Sequence, residues 1–107
     1  MKSKNENMTL FDEVKILSET SDEAFDVFNN IISRKSSKSK DVLYVCSTLK
    51  NSNILFAKIA HDFLGEKINK NKRCIELNNG VKIWVQPISK ILSWLPGRKF
   101  ISIIFER

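Results

Sequence analysis

The chain has 107 residues, 42% of them hydrophobic, and its 18 Lys and Arg against 12 Asp and Glu give a formal net charge of +6. This length indicates one domain that can bury a core without disulfides or a metal, and the hydrophobic content is too high for a disordered chain. No apolar run approaches the roughly 20 residues that cross a bilayer, and the polar N-terminus does not resemble a secretory signal, so we expect a cytoplasmic protein. The positive charge attracts polyanions such as nucleic acid, although in a Lys-rich sequence it can also serve solubility alone.

The first third of the chain predicts a tail, a strand and a helix. Residues 1–8 are polar and charged, so we expect a flexible tail ahead of a single α/β domain over residues 9–107. Residues 14–17 form a short apolar run typical of a buried strand. A helix is predicted over about residues 21–34, because a Thr-Ser pair can cap it and apolar residues then recur at helical spacing.

The middle of the chain predicts a second strand and a second helix. Residues 42–46 are continuously apolar, which suits a strand covered on both faces of a sheet. Apolar residues at helical spacing over residues 51–64 predict a helix that ends near Gly65. Two polar, basic stretches, residues 33–40 and 67–73, precede predicted strands and are expected to be solvated loops.

The last third of the chain predicts a β-hairpin, a helical turn and a final strand. Residues 74–77 and 81–85 alternate apolar and polar side chains around an Asn-Asn-Gly sequence, and Asn-Gly is the strongest short hairpin signal. Residues 88–94 predict a short helical turn, and residues 100–105 a strand. The whole order predicts a small α/β domain of three-layer type, with a mixed, mostly parallel sheet, two main helices and one hairpin.

From Asp41 onward, the order of these segments resembles the core of P-loop ATPases of the helicase and viral terminase type. Residues 41–48 and the helix after them look like the second strand and helix of those motors, whose junction contacts DNA or RNA in helicases. Residues 77–85 look like their hairpin, and residues 95–107 look like the approach to their Walker B strand. The alternative is a small α/β protein whose segments match by chance.

The residues needed for nucleotide hydrolysis are missing from the matching positions. A phosphate loop needs Gly residues, a Lys and a Ser or Thr, but residues 17–24 contain neither Gly nor Lys and carry three carboxylates. At the Walker B end, Glu106 falls at the Asp position and Arg107 at that of the catalytic Glu, where a guanidinium cannot act as a base. The resemblance therefore implies a truncated and inactive relative of those ATPases.

No other catalytic or metal site is predicted. His61 is the only histidine, and a lone His on a helix is more typical of a surface residue than of a general base. Cys46 and Cys74 lie far apart in apolar runs, so we expect buried thiols rather than zinc ligands. We predict a protein that is not an enzyme and that binds no metal and no cofactor.

The candidate functional features are therefore surfaces. We predict nucleic-acid contacts from the basic stretches and from the strand-to-helix junction: Arg34, Lys35, Lys38, Lys40, Thr48, Lys50, Lys67, Lys70, Lys72, Arg73, Arg98 and Lys99. In a parallel arrangement the two basic loops are expected at one edge of the sheet, and the junction at the opposite edge, where open α/β sheets bind ligands. Trp84 and Trp94 are either core residues or aromatics that stack on a base or anchor a protein partner.

Two hypotheses for function follow. The first is a non-catalytic accessory protein of a phage or virus that acts on nucleic acid or on the machinery that processes it; small size, a Lys- and Asn-rich composition and the terminase-like order of segments favour it. The second is a protein-interaction module, such as an inhibitor, a decoy or an assembly subunit. Such a module would bind a protein partner or a second copy of itself through an apolar face or an open sheet edge. Neither hypothesis involves a membrane.

Overall fold

The computed structural model describes residues 21–63 and 66–106, with side chains from Asp26 onward in the first helix. The predicted tail at residues 1–8, the predicted strand at 14–17 and the first half of the stretch compared with a phosphate loop lie outside the described residues. The elements in chain order are α1 (Ser21–Ile32), β1 (Asp41–Cys46), α2 (Leu49–Asp62), β2 (Lys67–Asn69), β3 (Cys74–Glu76), β4 (Lys82–Pro87), α3 (Ile88–Trp94) and β5 (Ser102–Glu106).

A five-stranded mixed sheet in the order β2-β3-β4-β1-β5 forms the middle layer. Strand β1 is parallel to both of its neighbours, β4 and β5. Strands β2, β3 and β4 are joined in antiparallel pairs at one side of this parallel centre. The predicted α/β class with a mixed sheet is confirmed.

The predicted hairpin joins β3 to β4. The N–H of Leu77 donates to the carbonyl of Val81, and the N–H of Gly80 donates to the carbonyl of Leu77. Gly80 has a φ of +88°, a conformation that costs Gly little but strains any residue with a Cβ. The Asn-Gly sequence therefore fixes the turn and, with it, the register of β3 on β4.

Helices cover the two faces of the sheet unequally. Helix α2 packs Phe56 on one face, against Ile75, Ile83 and Val85. Helices α1 and α3 pack together on the other face, over β1 and β4, where Ile31 and the residues around it form the second core cluster. On this second face, the β2 and β3 side carries Lys67, Asn69 and Glu76 beside Cys74.

The predicted basic loop over residues 67–73 is partly wrong, because its first three residues form β2. This strand has a single apolar residue, Ile68, and its neighbours Lys67 and Asn69 are exposed. Three residues with one apolar side chain give no periodic signal, so only the pairing with β3 reveals the strand. The other elements differ from the predicted bounds by a few residues at their ends.

Candidate nucleic-acid interface

The first basic loop lies at the edge of the sheet where the parallel strands begin. It pairs with the segment before β5, since the N–H of Ser36 donates to the carbonyl of Phe100 and the N–H of Phe100 donates to that of Arg34. The Nζ of Lys99 donates to the carbonyl of Ser33 at 3.1 Å. The pairing brings together five of the predicted cations, here called the N-edge cluster: Arg34, Lys35, Lys38, Lys40 and Lys99.

Lys70, Lys72 and Arg73 of the second basic stretch do not lie at that edge, contrary to the prediction, whereas Lys67 does, through its register with Glu76 and Lys82. Because β3 runs antiparallel to β4, Glu76 at its end pairs with Lys82 at the start of β4, while the β2–β3 turn lies toward the far edge. There the carbonyl of Arg73 accepts a hydrogen bond from the N–H of Val85. The prediction assumed that β3 runs parallel to β1 and β4. Because β3 is antiparallel to β4, the residues that precede β3 lie toward the opposite edge of the sheet.

Arg73 instead meets the strand-to-helix junction at the edge where the parallel strands end. Its guanidinium donates to the Oγ of the fully buried Ser52, in the first turn of α2, at 2.9 Å. Arg73 has a φ of 54°, a left-handed conformation that a non-Gly residue adopts at an energetic cost. The Oγ1 of Thr48 accepts a hydrogen bond from the N–H of Asn51 and so caps α2.

The predicted residues of this edge therefore divide by role. Thr48, Lys50, Lys70 and Arg73 are brought to one region, but Thr48 and Arg73 form contacts that hold the junction together. Lys50 and Lys70 are exposed and point their charge to solvent.

A trough crosses the part of the sheet face that α1 and α3 leave open. One half of it is a cavity of about 310 Å³, lined by Lys67, Ile68, Asn69, Lys72, Cys74, Glu76, Lys82 and Trp84. The other half is a cavity of about 350 Å³, lined by Asn71, Lys72, Trp84, Gln86, Trp94 and Arg98. The two halves share Lys72 and Trp84, and we call them together the trough.

The charge of the trough is strongly positive. Its lining carries four cations, Lys67, Lys72, Lys82 and Arg98, and one carboxylate, Glu76. Glu76 lies in register between Lys67 and Lys82 and offsets part of their charge. Within the described part of the chain, none of these four cations forms an ion pair, so their charge is available to a ligand.

Arg98 is fixed in place on two indole rings. Its guanidinium carbon lies 4.2 Å from the ring centroid of Trp94 and 4.8 Å from that of Trp84, both within the range of a cation–π contact. Its Nε donates to the carbonyl of Trp94 at 3.0 Å. These contacts hold the guanidinium in place, and its terminal nitrogens remain for a ligand in the trough.

The two tryptophans belong to the core and to the trough at once. Trp84 is buried, and its Nε1 donates to an oxygen of Asp41 at 3.1 Å. Trp94 is half-buried and stacks on Phe100, with the ring centroids 5.6 Å apart. Trp84 is therefore a core residue, whereas Trp94 also exposes part of its ring to the trough.

The cysteines and the histidine offer little chemistry. Cys46 and Cys74 are buried free thiols. Burial raises the pKa of the Cys46 thiol to about 11, with a smaller contribution from Glu106, and burial also raises the pKa of Cys74. His61 is exposed in the last turn of α2. Among the described residues, no three His, Cys, Asp or Glu side chains gather where they could hold a metal ion.

No helix in residues 21–63 and 66–106 has both the length and the apolarity to span a bilayer.

Among the trough residues that sequence reasoning missed are Lys82 and Gln86. Both lie on β4, where side chains alternate between the faces of the sheet, so Lys82, Trp84 and Gln86 share one face and Ile83 and Val85 share the other. This alternation is visible in the sequence. It would have placed Lys82 and Gln86 beside Trp84.

Comparisons with known proteins assign the chain to no family. No protein-family model matches the chain, and neither a curated protein nor a solved structure matches it. The resemblance to P-loop ATPases therefore depends on the order of the segments alone.

Proposed function

We propose that this protein is a non-catalytic nucleic-acid-binding protein, an accessory factor of a phage or virus that acts on nucleic acid or on the machinery that processes it. The trough carries the proposal. Four cations and two indole rings line an open sheet face that holds a single carboxylate. Cations bind phosphates without regard to sequence, and aromatic rings stack on bases.

The N-edge cluster extends this basic surface. Lys82 pairs in register with Asp41, the residue that follows Lys40. The side chain of Lys40 lies near the hairpin turn, where its Nζ would be 3.9 Å from a Cβ on Gly80. The cluster and the trough therefore adjoin at the start of β4, and a nucleic-acid backbone that follows the trough would continue past the cluster.

The non-catalytic part of the proposal rests on the sequence positions that a P-loop ATPase would need. Residues 17–24 have no Gly and no Lys. Glu106, at the Walker B position, is exposed at the end of β5, where it pairs in register with Cys46. Residues 17–24 therefore lack the Lys that contacts the phosphates, and the position after Glu106, Arg107, has a guanidinium where the catalytic Glu would act as a base.

The proposal is tested by fluorescence anisotropy of a labelled oligonucleotide. The test variant is Lys67→Gln/Lys72→Gln, which removes two exposed cations from the trough. The control is Lys58→Gln/Lys90→Gln, which removes two exposed cations from α2 and α3. We expect the test variant to bind more weakly than the control, because both have the same net charge but only one loses phosphate contacts. Equal weakening of both variants would show that binding does not depend on the trough.

A specific observation also favours the protein-interaction hypothesis. Strand β5 is the last strand in the described sheet and pairs with β1 alone, and Ile101 beside it is 46% exposed. An open edge beside an exposed apolar side chain can accept a strand from another chain. Sedimentation of the wild type and of Ile101→Glu tests this; a concentration-dependent dimer that the substitution abolishes would support it, and a monomer throughout would oppose self-pairing.

A further inference from the structure

We infer that the half of the trough around Gln86 holds one unpaired base of a single-stranded nucleic acid, an inference that rests on the proposed function. We call this half the Gln86 cleft, and its lining is the 350 Å³ cavity described above. Clefts that bind small molecules begin at about 300 Å³, so the cleft has room for one base and its sugar.

The side chain of Gln86 is the main observation. The side chain is only 7% exposed and its amide forms no hydrogen bond within the described residues, but the two amide atoms keep access to solvent. Water bonds an amide that solvent can reach, and a ligand can replace that water. Because the side chain lines the cleft, a ligand that enters the cleft can form hydrogen bonds with both ends of the amide.

The chemistry of this amide suits a base. A Gln side chain offers a carbonyl that accepts and an NH₂ that donates, side by side. The edge of a nucleobase presents donors and acceptors in the same spacing, and Gln commonly pairs with such an edge. A phosphate presents acceptors only, so it would leave the carbonyl of Gln86 unpaired.

The other residues of the cleft suit the rest of a nucleotide. Trp94 is half-buried, stacks on Phe100 and carries the Arg98 guanidinium over its ring at 4.2 Å, so the guanidinium, held on the indole, offers a planar surface on which a base can stack. Lys72 is exposed at the rim that both halves of the trough share. At that position its ammonium can contact the phosphate that follows the base.

A duplex does not fit this arrangement as well as a single strand. Bases in a duplex are paired and stacked, and one enters a cleft only at the cost of unstacking and unpairing it. A duplex would contact the exposed cations of the trough and leave the Gln86 cleft empty. Single strands, either DNA or RNA, carry bases whose pairing edges are free.

The experiment compares three labelled probes of one mixed sequence, about 12 nucleotides long, within the site sizes of small single-strand binding domains. They are single-stranded DNA, single-stranded RNA and the DNA duplex, titrated with the wild type and with Gln86→Leu, which keeps the volume but removes the amide. We expect the substitution to weaken single-strand binding about three- to tenfold, the range of one lost hydrogen bond, and to leave duplex binding unchanged. The single-stranded probe that binds more tightly shows whether DNA or RNA is preferred.

A second readout uses the wild type alone. The protein has two tryptophans, and both line the Gln86 cleft, so intrinsic fluorescence reports on this cleft. We expect single strands to quench the emission strongly and the duplex to quench it little, a result that stands even if Gln86→Leu fails to fold.

The outcomes separate this inference from the proposed function. If single strands and duplex bind equally, with no difference in quenching and no effect of Gln86→Leu, the inference is overturned while nucleic-acid binding stands. If no probe binds at low salt, the proposed function itself fails, and the inference fails with it.

Discussion

Replacing Arg98 by Ala removes the side chain that fixes the centre of the trough. The change deletes two cation–π contacts, at 4.2 and 4.8 Å, and one hydrogen bond to the carbonyl of Trp94. Because Arg98 is only half-buried, each cation–π contact contributes about 0.5 kcal/mol, and the hydrogen bond contributes about 1 kcal/mol. We therefore expect the free energy of unfolding to fall by about 2 kcal/mol.

Urea unfolding, followed by tryptophan fluorescence, measures this loss. The matched control is Arg34→Ala, since the backbone of Arg34 takes part in the pairing with Phe100 but its side chain has no hydrogen bond within residues 21–63 and 66–106. Surface substitutions of this kind change stability by about 0.5 kcal/mol or less. If Arg98→Ala costs no more than this control, then Arg98 is not fixed by the indoles, and the argument for a preorganised site is refuted.

Three further predictions concern the thiols, the nucleotide and the junction. Burial raises the pKa of Cys46 to about 11 and also that of Cys74, so both thiols should react slowly with a thiol reagent at pH 8 and quickly in denaturant; labelling should speed up as the pH rises toward 11, and rapid labelling of both folded thiols at pH 8 would contradict their burial. Isothermal titration with Mg-ATP should give no heat of binding, because residues 17–24 lack Gly and Lys; a dissociation constant below about 100 μM would correspond to more than about 5 kcal/mol of interaction and would oppose the inactive assignment. Thr48→Ala removes the cap of α2 and should lower the free energy of unfolding by about 1 kcal/mol, whereas Thr48→Ser should restore most of it; equal losses in the two variants would assign the effect to packing instead.

Local signals in the sequence predict much of the fold. The apolar run of β1 and the Asn-Gly turn before β4 identify their elements, because continuous burial and a positive φ each demand particular residues. The helices follow from spacing in the same way. Strand β2 could not be predicted, because Lys67–Asn69 has one apolar residue and exists through its pairing with β3.

The site depends on contacts between distant residues and was predicted only in part. The cations Lys67, Lys72 and Arg98 were identified from charge, but their grouping was not, since it depends on the direction of β3 and on which part of the sheet the helices cover. The stacking of Arg98 on Trp84 joins residues from a strand and from the loop after α3. No local pattern encodes such a contact.

The salt dependence of oligonucleotide binding by the wild type tests the central claim most directly. The trough carries four cations that form no ion pair within the described residues. If each contacts a phosphate of a single strand, the plot of log Kobs against log [NaCl] has a slope of about −3, at about −0.7 per contact. We predict a slope at least that steep, since contacts with the N-edge cluster add to it, and made shallower by about 1.4 in Lys67→Gln/Lys72→Gln. A slope near zero, or no binding at low salt, would contradict the account.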